Sequence, residues 1–238
     1  MGSITYNGVS SESLGLKVWT FPSYTFPEKE VTKVHIPGRN GDIVIDNGTY
    51  KNVTKTYQLS LYDKTKSYTE MANTISNWLH SSSGYAELSD SYEPNYYRLA
   101  CYVEGNDISN ALNQAAVITV EFDCKPQRFL SGVNEPTYTS SAVLENPTIY
   151  YARPVITVRG NGTAYVNGYS MTISGSSYAL IVDSDMQDAY YYSGSTVHNG
   201  NNLISLPSGF PVLKPGNNTI TLGSGITSVK VVPKWWTL

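Results

Sequence analysis

Between Val53 and Leu61 apolar and polar positions alternate. Val53, Tyr57, Leu59 and Leu61 share one side, Thr54, Thr56, Gln58 and Ser60 the other, and Lys55 breaks the run. Tyr97, Leu99, Cys101 and Val103 alternate in the same way with Tyr96, Arg98, Ala100 and Tyr102. Ala116, Ile118, Val120, Phe122 and Cys124 line one side of "AVITVEFDC". A period of two predicts half-buried antiparallel strands, with both cysteines on apolar faces.

One segment has a different period. In "SYTEMANTISNWLHSSSG", Met71, Ile75, Trp78 and Leu79 recur at helical spacing, and Ser67 and Glu70 have the spacing of a capping box. A single amphipathic helix is expected, ending at Ser81 to Gly84, with Met71 and Trp78 as core anchors. Beyond Cys124 the chain becomes proline-rich and loses periodicity, which predicts a linker and a boundary near residue 133. The expected domains are 1–133 and 134–238. In the second, "PVITVRG", "TAYVNG", "YSMTISG", "YALIVDS", "NLISLP", "NTITLGSG" and "SVKVVP" follow closely, punctuated by Gly, Asn or Pro. Seven or eight short strands without a helix predict a β-sandwich, and "NGTAYVNGY" reads as hairpin turns.

Composition sharpens the fold class to mainly β. Of 238 residues only 15% are charged, against about 25% in an average protein, and 20 are tyrosine. Net charge is −3 without a basic run, which argues against sequence-specific nucleic-acid binding. No apolar stretch approaches the roughly 18 residues that span a bilayer, so membrane insertion is not expected. The amino terminus lacks the basic and apolar regions of a signal peptide. With two cysteines and no leader, synthesis in the cytoplasm with reduced thiols is expected, and the four sequons (Asn47, Asn52, Asn161, Asn217) read as accidents of composition.

Candidate chemistry is sparse. His35, His80 and His198 lie far apart, outside metal-ligand spacing. "DSDMQD" lacks the glycine and the closing glutamate of a calcium loop and reads as a solvated turn. There is no nucleophile elbow and no phosphate loop. Neither an enzyme nor a cofactor is expected, although carboxylates paired only in space, as in glycosidases, leave no mark in a sequence. Tyr190, Tyr191, Tyr192, Trp235 and Trp236 offer aromatic faces for sugar stacking, for packing or for a protein interface, with Tyr191 and Trp235 as the candidate contacts. In "PGRNGDIVIDNGTYKNV" the glycines sit at both ends of "IVI". A phosphate cradle runs from a strand into a helix, whereas these glycines flank a strand and fit turns of positive φ.

The order of these features resembles the distal tail protein family of long-tailed bacteriophages. The likeness runs from "IPGRNGDIVIDNGTYKNV" through the single helix to "VITVEFDCKPQRFL". It continues with "ARPVITVRGNGTAYVNG", "IVDSDMQDAYY", "FPVLKPGNNTITL" and the closing "VPKWW", so it spans nearly the whole chain. The resemblance implies a structural virion protein with an amino-terminal tail-tube-like β-domain carrying one helix and a carboxy-terminal galectin-like β-sandwich. It further implies a hexameric ring at the distal end of the tail, joining the tail tube protein to tail-tip proteins and to a receptor-binding protein, with a pore for DNA. Within such a ring Arg39, Asp42, Tyr50 and Lys51 are the candidate interface residues. The competing reading is a carbohydrate-binding adhesion module, and a hydrolase is a third.

Overall fold

The structure is a computed structural model that describes residues 2–61, 68–103 and 117–238. The chain divides into two compact units, residues 1–131 together with Leu238, and residues 132–237. Both are built from antiparallel strands, and among the described residues there is one α-helix.

In the first unit the strands lie in the order Val9–Ser10, Ile4–Tyr6, Ala86–Asp90, Tyr96–Tyr102, Val117–Cys124, Val53–Leu61, Leu16–Val18. Val53–Leu61 and Val117–Cys124 pair over eight residues, from Val53 opposite Cys124 to Ser60 opposite Val117. The sheet curls until Leu16–Val18, at one end of this order, meets the residues just before Ile4–Tyr6, where the Val18 N–H donates to the Gly2 carbonyl at 2.8 Å. The interior holds Ile4, Tyr6, Leu16, Val18, Leu59, Val120 and Phe122, each fully buried. The helix, Tyr68–Leu79, lays Met71, Ile75, Trp78 and Leu79 against this core, the stripe its periodicity predicts. The Trp78 indole N–H donates to the Tyr6 carbonyl at 3.2 Å, and its ring meets Tyr6 edge-on. The capping residue expected at Ser67 and strand position Ala116 lie outside the described residues.

Two face assignments need correction. Lys55 does not break the Val53–Leu61 pattern; it is buried in phase with Val53, Tyr57 and Leu59. On Tyr96–Tyr102 the inward residues are Arg98 and Ala100 rather than Leu99 and Cys101, and Val103 is exposed. Both sides of that strand carry aromatic or aliphatic residues, so alternation alone does not choose between them. Cys124 is therefore interior, opposite Ala100, whereas Cys101 stands opposite Asp123 on the other face. The two thiols cannot bridge.

In the second unit a six-stranded sheet runs Thr137–Tyr138, Ile226–Val232, Val155–Gly160, Leu180–Asp183, Asp188–Ser193, Thr196–Asn199. A five-stranded sheet runs Ala142–Asn146, Gly216–Leu222, Gly162–Val166, Tyr169–Ile173, Ile204–Ser205. Each buries one face: Ile156, Val158, Leu180, Val182, Val229 and Val231 in the first, Ala164, Val166, Met171, Ile173 and Ile220 in the second. This is the patterning of a β-sandwich. All seven segments expected here form strands. The Asn167–Gly168 turn has positive φ at both residues, 51° and 83°, which fits the predicted hairpin. The segment expected to be linker is not free of structure, since Ala142–Asn146 pairs along Gly216–Leu222. It is an edge strand whose one buried residue is the polar Asn146, so it carries little apolar signal.

Burial pushes the Cys124 thiol up to about 12, against the pull of the Arg98 cation. Below the ordinary thiol value of 9.0 both native and unfolded chains keep this proton. Between pH 9 and about 12 only the unfolded chain releases it. Stability is therefore expected to fall as pH rises through this window, by about 1.4 kcal/mol per pH unit from this group. Urea midpoints measured from pH 8.5 upward should show a shallower decline for Cys124→Ala than for the parent protein. Equal slopes would contradict the assignment.

Candidate functional site

The chain leaves the curled sheet after Val18 and returns to it at Val53. The excursion begins as an extended strap, residues 19–28, and continues as a hairpin of Lys29–Val34 paired with Ile43–Tyr50. Three prolines (Pro22, Pro27, Pro37) keep the strap and the turn out of helix.

The hairpin is a two-stranded sheet of its own. Ile43–Tyr50 is longer than the short strand read from the sequence. Its register slips between Lys29, opposite Tyr50, and Val31, opposite Asp46, so Asn47 to Thr49 form a bulge. Gly48 does have the expected positive φ, 74°, but within this bulge rather than at a chain reversal. Gly38 and Gly41, at 81° and 79°, serve the turn itself. No core holds the two strands together, and cross-strand polar pairs take that role. The Lys29 ammonium lies 2.6 Å from Asp46, and each holds the other's charged form, raising the lysine and lowering the carboxyl. Thr49 donates to Glu30 at 2.5 Å, and Thr32 to Asn47 at 3.2 Å.

The four residues singled out for an interface all fall on this element. Arg39 and Asp42 are exposed at the turn, where Asp42 faces His35 Nδ1 at 3.3 Å. Tyr50, half-buried, and Lys51, exposed, stand at the base, where Lys51 pairs with Glu28 at 3.1 Å. The hairpin also exposes Val44 (59%) and Ile45 (50%) on its two sides. An isolated pair of strands is marginally stable in water at best, and these apolar side chains have no cover within the unit.

The strap adds what the sequence reading passed over. Phe21 and Phe26 are 75% and 78% exposed, and Trp19 is 50% exposed. Beneath them Tyr24 covers a charged cluster. The Arg128 guanidinium sits 4.9 Å from the Tyr24 ring and 4.7 Å from that of Tyr96. Glu93 bridges Arg128 at 2.8 Å and Lys55 at 3.5 Å, and Lys55 also donates to the Ser23 carbonyl at 3.2 Å. The buried Lys55 thus ties the strap to the sheet. A cation at an inward strand position is the signal that points to this arrangement.

The aromatic candidates of the second unit are not free platforms. Trp235 is buried, 3% exposed, so its ring presents no face to a ligand. Tyr191 is stacked between Tyr178, at 4.8 Å, and His198, at 5.2 Å, so neighbouring rings take both its faces. In "DSDMQD" Asp183 accepts the N–H groups of Asp185 and Met186, and Asp188 accepts from Asn201 at 2.6 Å. These carboxylates hold a turn, and among the described residues no cluster suited to a metal occurs.

Residues 11–124, almost all of the first unit, match the family model of the phage tail protein RIFT-related domain. The fold likeness goes further than this domain. The crystal structure of the distal tail protein (Dit) of phage SPP1, described as a paradigm of the hub adsorption apparatus in phages infecting Gram-positive hosts, superposes with a TM-score of 0.72 at 14% identity, covering 100% of both chains. Structures of the phage p2 baseplate in its activated conformation, with Sr and with Ca, give TM-scores of 0.61 and 0.60 at 8% identity, covering 97% of this chain and 97% and 96% of theirs. No curated protein matches by sequence. The resemblance to the distal tail protein family is thereby borne out, and so is the mainly β fold with one helix. The first unit is thus similar to phage tail proteins in sequence, and the whole chain to them in fold.

Removing the Tyr24 ring should loosen the strap without touching the sheet. A cation–π contact contributes about 1 kcal/mol, so Tyr24→Ala is expected to raise opening of residues 19–28 roughly fivefold. Hydrogen exchange should report this in the strap, with Val117–Cys124 unchanged. Equal exchange in parent and variant would show that Tyr24 does not hold it.

Proposed function

We propose that this chain is the hub at the distal end of a phage tail tube, six copies closing into a ring around a pore through which DNA passes. The observation that carries the reading is the uncovered arm of the RIFT-related unit. A strap and hairpin with Trp19, Phe21, Phe26, Val44 and Ile45 facing outward fit a lodging on the next copy, where aromatic and aliphatic anchors contribute most of the binding. A ring of identical subunits needs such a heterologous contact, one surface donating and a different one receiving. On this reading Arg39, Asp42, Tyr50 and Lys51 lie in the subunit contact. Their in-chain pairs with His35 and Glu28 are exposed and worth little, so exchanging them across an interface costs little.

The family match of the first unit and the fold likeness support the remaining parts of this reading. The ring joins the tail tube protein to tail-tip proteins and to a receptor-binding protein, and the chain is made in the host cytoplasm before it enters the virion tail. The second unit is assigned as the galectin-like sandwich. With a net charge of −3 the chain has no surplus of cations to hold phosphates, which suits a pore that DNA must leave as readily as it enters. No residue of the arm has a catalytic role in this reading. The carbohydrate reading through Tyr191 and Trp235 loses its footing, because neither ring has a free face.

Averaged electron micrographs of the purified protein, alone or with its tail partners, are expected to show six-fold rings. Val44→Asp combined with Ile45→Asp should abolish them. Each is a surface substitution expected to change folding stability by no more than about 0.5 kcal/mol. Rings that persist in the double variant would overturn the role of the arm. A parent protein that stays monomeric at high concentration beside its tail partners would overturn the hub.

A further inference from the structure

The second unit contains a cleft of about 360 Å³ lined by Tyr151, Asn167, Tyr169, Val212, Lys214 and Thr219. That size lies within the range of small-ligand sites. Its floor is pinned by hydrogen bonds. Asn167 donates to the Val212 carbonyl at 3.2 Å and to Asn218 Oδ1 at 2.5 Å, and accepts the Thr219 N–H at 3.1 Å. Asn218, fully buried, donates to the carbonyls of Leu144, Lys214 and Gly216 and accepts the Lys214 N–H at 2.8 Å. Ala152 and Leu213 exchange both backbone hydrogen bonds, and the Trp236 indole donates to the Tyr151 carbonyl at 2.9 Å. The backbone under Tyr151, Val212, Lys214 and Thr219 is therefore fixed.

The side chains carried on this floor are in the opposite condition. Among the described residues the Lys214 ammonium and the hydroxyls of Tyr151, Tyr169 and Thr219 have no hydrogen-bond or ion-pair partner. Tyr151 is 65% exposed. No carboxylate lines the cleft. A rigid base under two tyrosines, one further hydroxyl and one uncompensated cation suits a ligand with a flat aliphatic face, several oxygens and a negative charge.

We propose that this cleft binds an acidic saccharide, a sugar ring bearing a carboxylate or phosphate. The ring lies against the tyrosines and the anionic group meets Lys214. No residue of the arm lines this cleft. The signal was illegible in the sequence because its residues come from three distant stretches, none with a motif.

Saturation-transfer difference NMR on the full chain, with D-glucuronate, D-glucose and inorganic phosphate as probes, tests it in monomer and ring alike. Glucuronate should show saturable transfer, with glucose about tenfold weaker for want of the charge-assisted contact. Phosphate should fail to displace glucuronate at equal concentration. Lys214→Ala and Tyr151→Ala should each weaken glucuronate about tenfold, and because both side chains are exposed their melting temperatures should match the parent. Glucose bound as well as glucuronate would remove the role of the cation, and phosphate competing fully would reduce the cleft to a bare anion site. Absence of transfer from glucuronate, or variants that bind as the parent does, would overturn the proposal.

Discussion

An antiparallel sheet ends in two rows of unpaired backbone groups, and the first unit depends on how it deals with them. Its answer is closure, with the Val18 N–H on the Gly2 carbonyl and the Gly2 N–H on the Tyr92 hydroxyl at 3.1 Å. Gly2 has no room for a side chain, since a Cβ would meet the Ser91 hydroxyl at 2.4 Å and the Tyr92 ring at 2.5 Å. Once the sheet is closed, its interior is filled from several strands at once, and Ile4, Leu16, Leu59, Val120 and Phe122 are all fully buried. The helix then has one place to lie, and Trp78 fixes it there through the Tyr6 carbonyl. The Cys124 thiol has no solvent to ionise into because it sits in the same interior.

The parts of this architecture legible in the sequence were those with an unambiguous period. The stripe of Met71, Ile75, Trp78 and Leu79 has one apolar side, and so does Ile118, Val120, Phe122. The strand Tyr96–Tyr102 has two, and its reading came out on the wrong face. Lys55 misled for a related reason. A cation inside a strand pattern looks like an interruption unless its partners are known, and Glu93, Ser23 and the ring of Tyr24 are up to 38 residues away in sequence. Tyr191 and Trp235 looked available because aromatic content is visible in a sequence whereas stacking between rings is not. The chain-reversal residues Asn167 and Gly168 were readable because positive φ at two successive positions restricts composition so strongly.

The two units treat their polar groups differently. In the second, amide side chains such as Asn167 and Asn218 are spent on fixing backbone, which leaves hydroxyls and one ammonium free above a rigid base. In the first, the charged groups near the strap pair with one another, and the side chains it leaves most exposed are apolar. A surface of uncovered aromatic and aliphatic side chains is suited to another protein, and a surface of unpaired donors over fixed backbone is suited to a small polar ligand.

The arm interrupts the chain between two strands that are already neighbours. Leu16–Val18 pairs with Val53–Leu61, Val18 opposite Leu59, and the Trp19 N–H still bonds the Gln58 carbonyl where the excursion starts. Topologically it is an oversized hairpin loop. Beyond the anchor that Ser23 and Tyr24 give to Lys55, its length and sequence can change without moving any strand of the closed sheet against its neighbour. The fold therefore separates two kinds of inheritance. The closed sheet must be conserved to exist at all, while the surface it carries outward is free to follow whatever it has to fit.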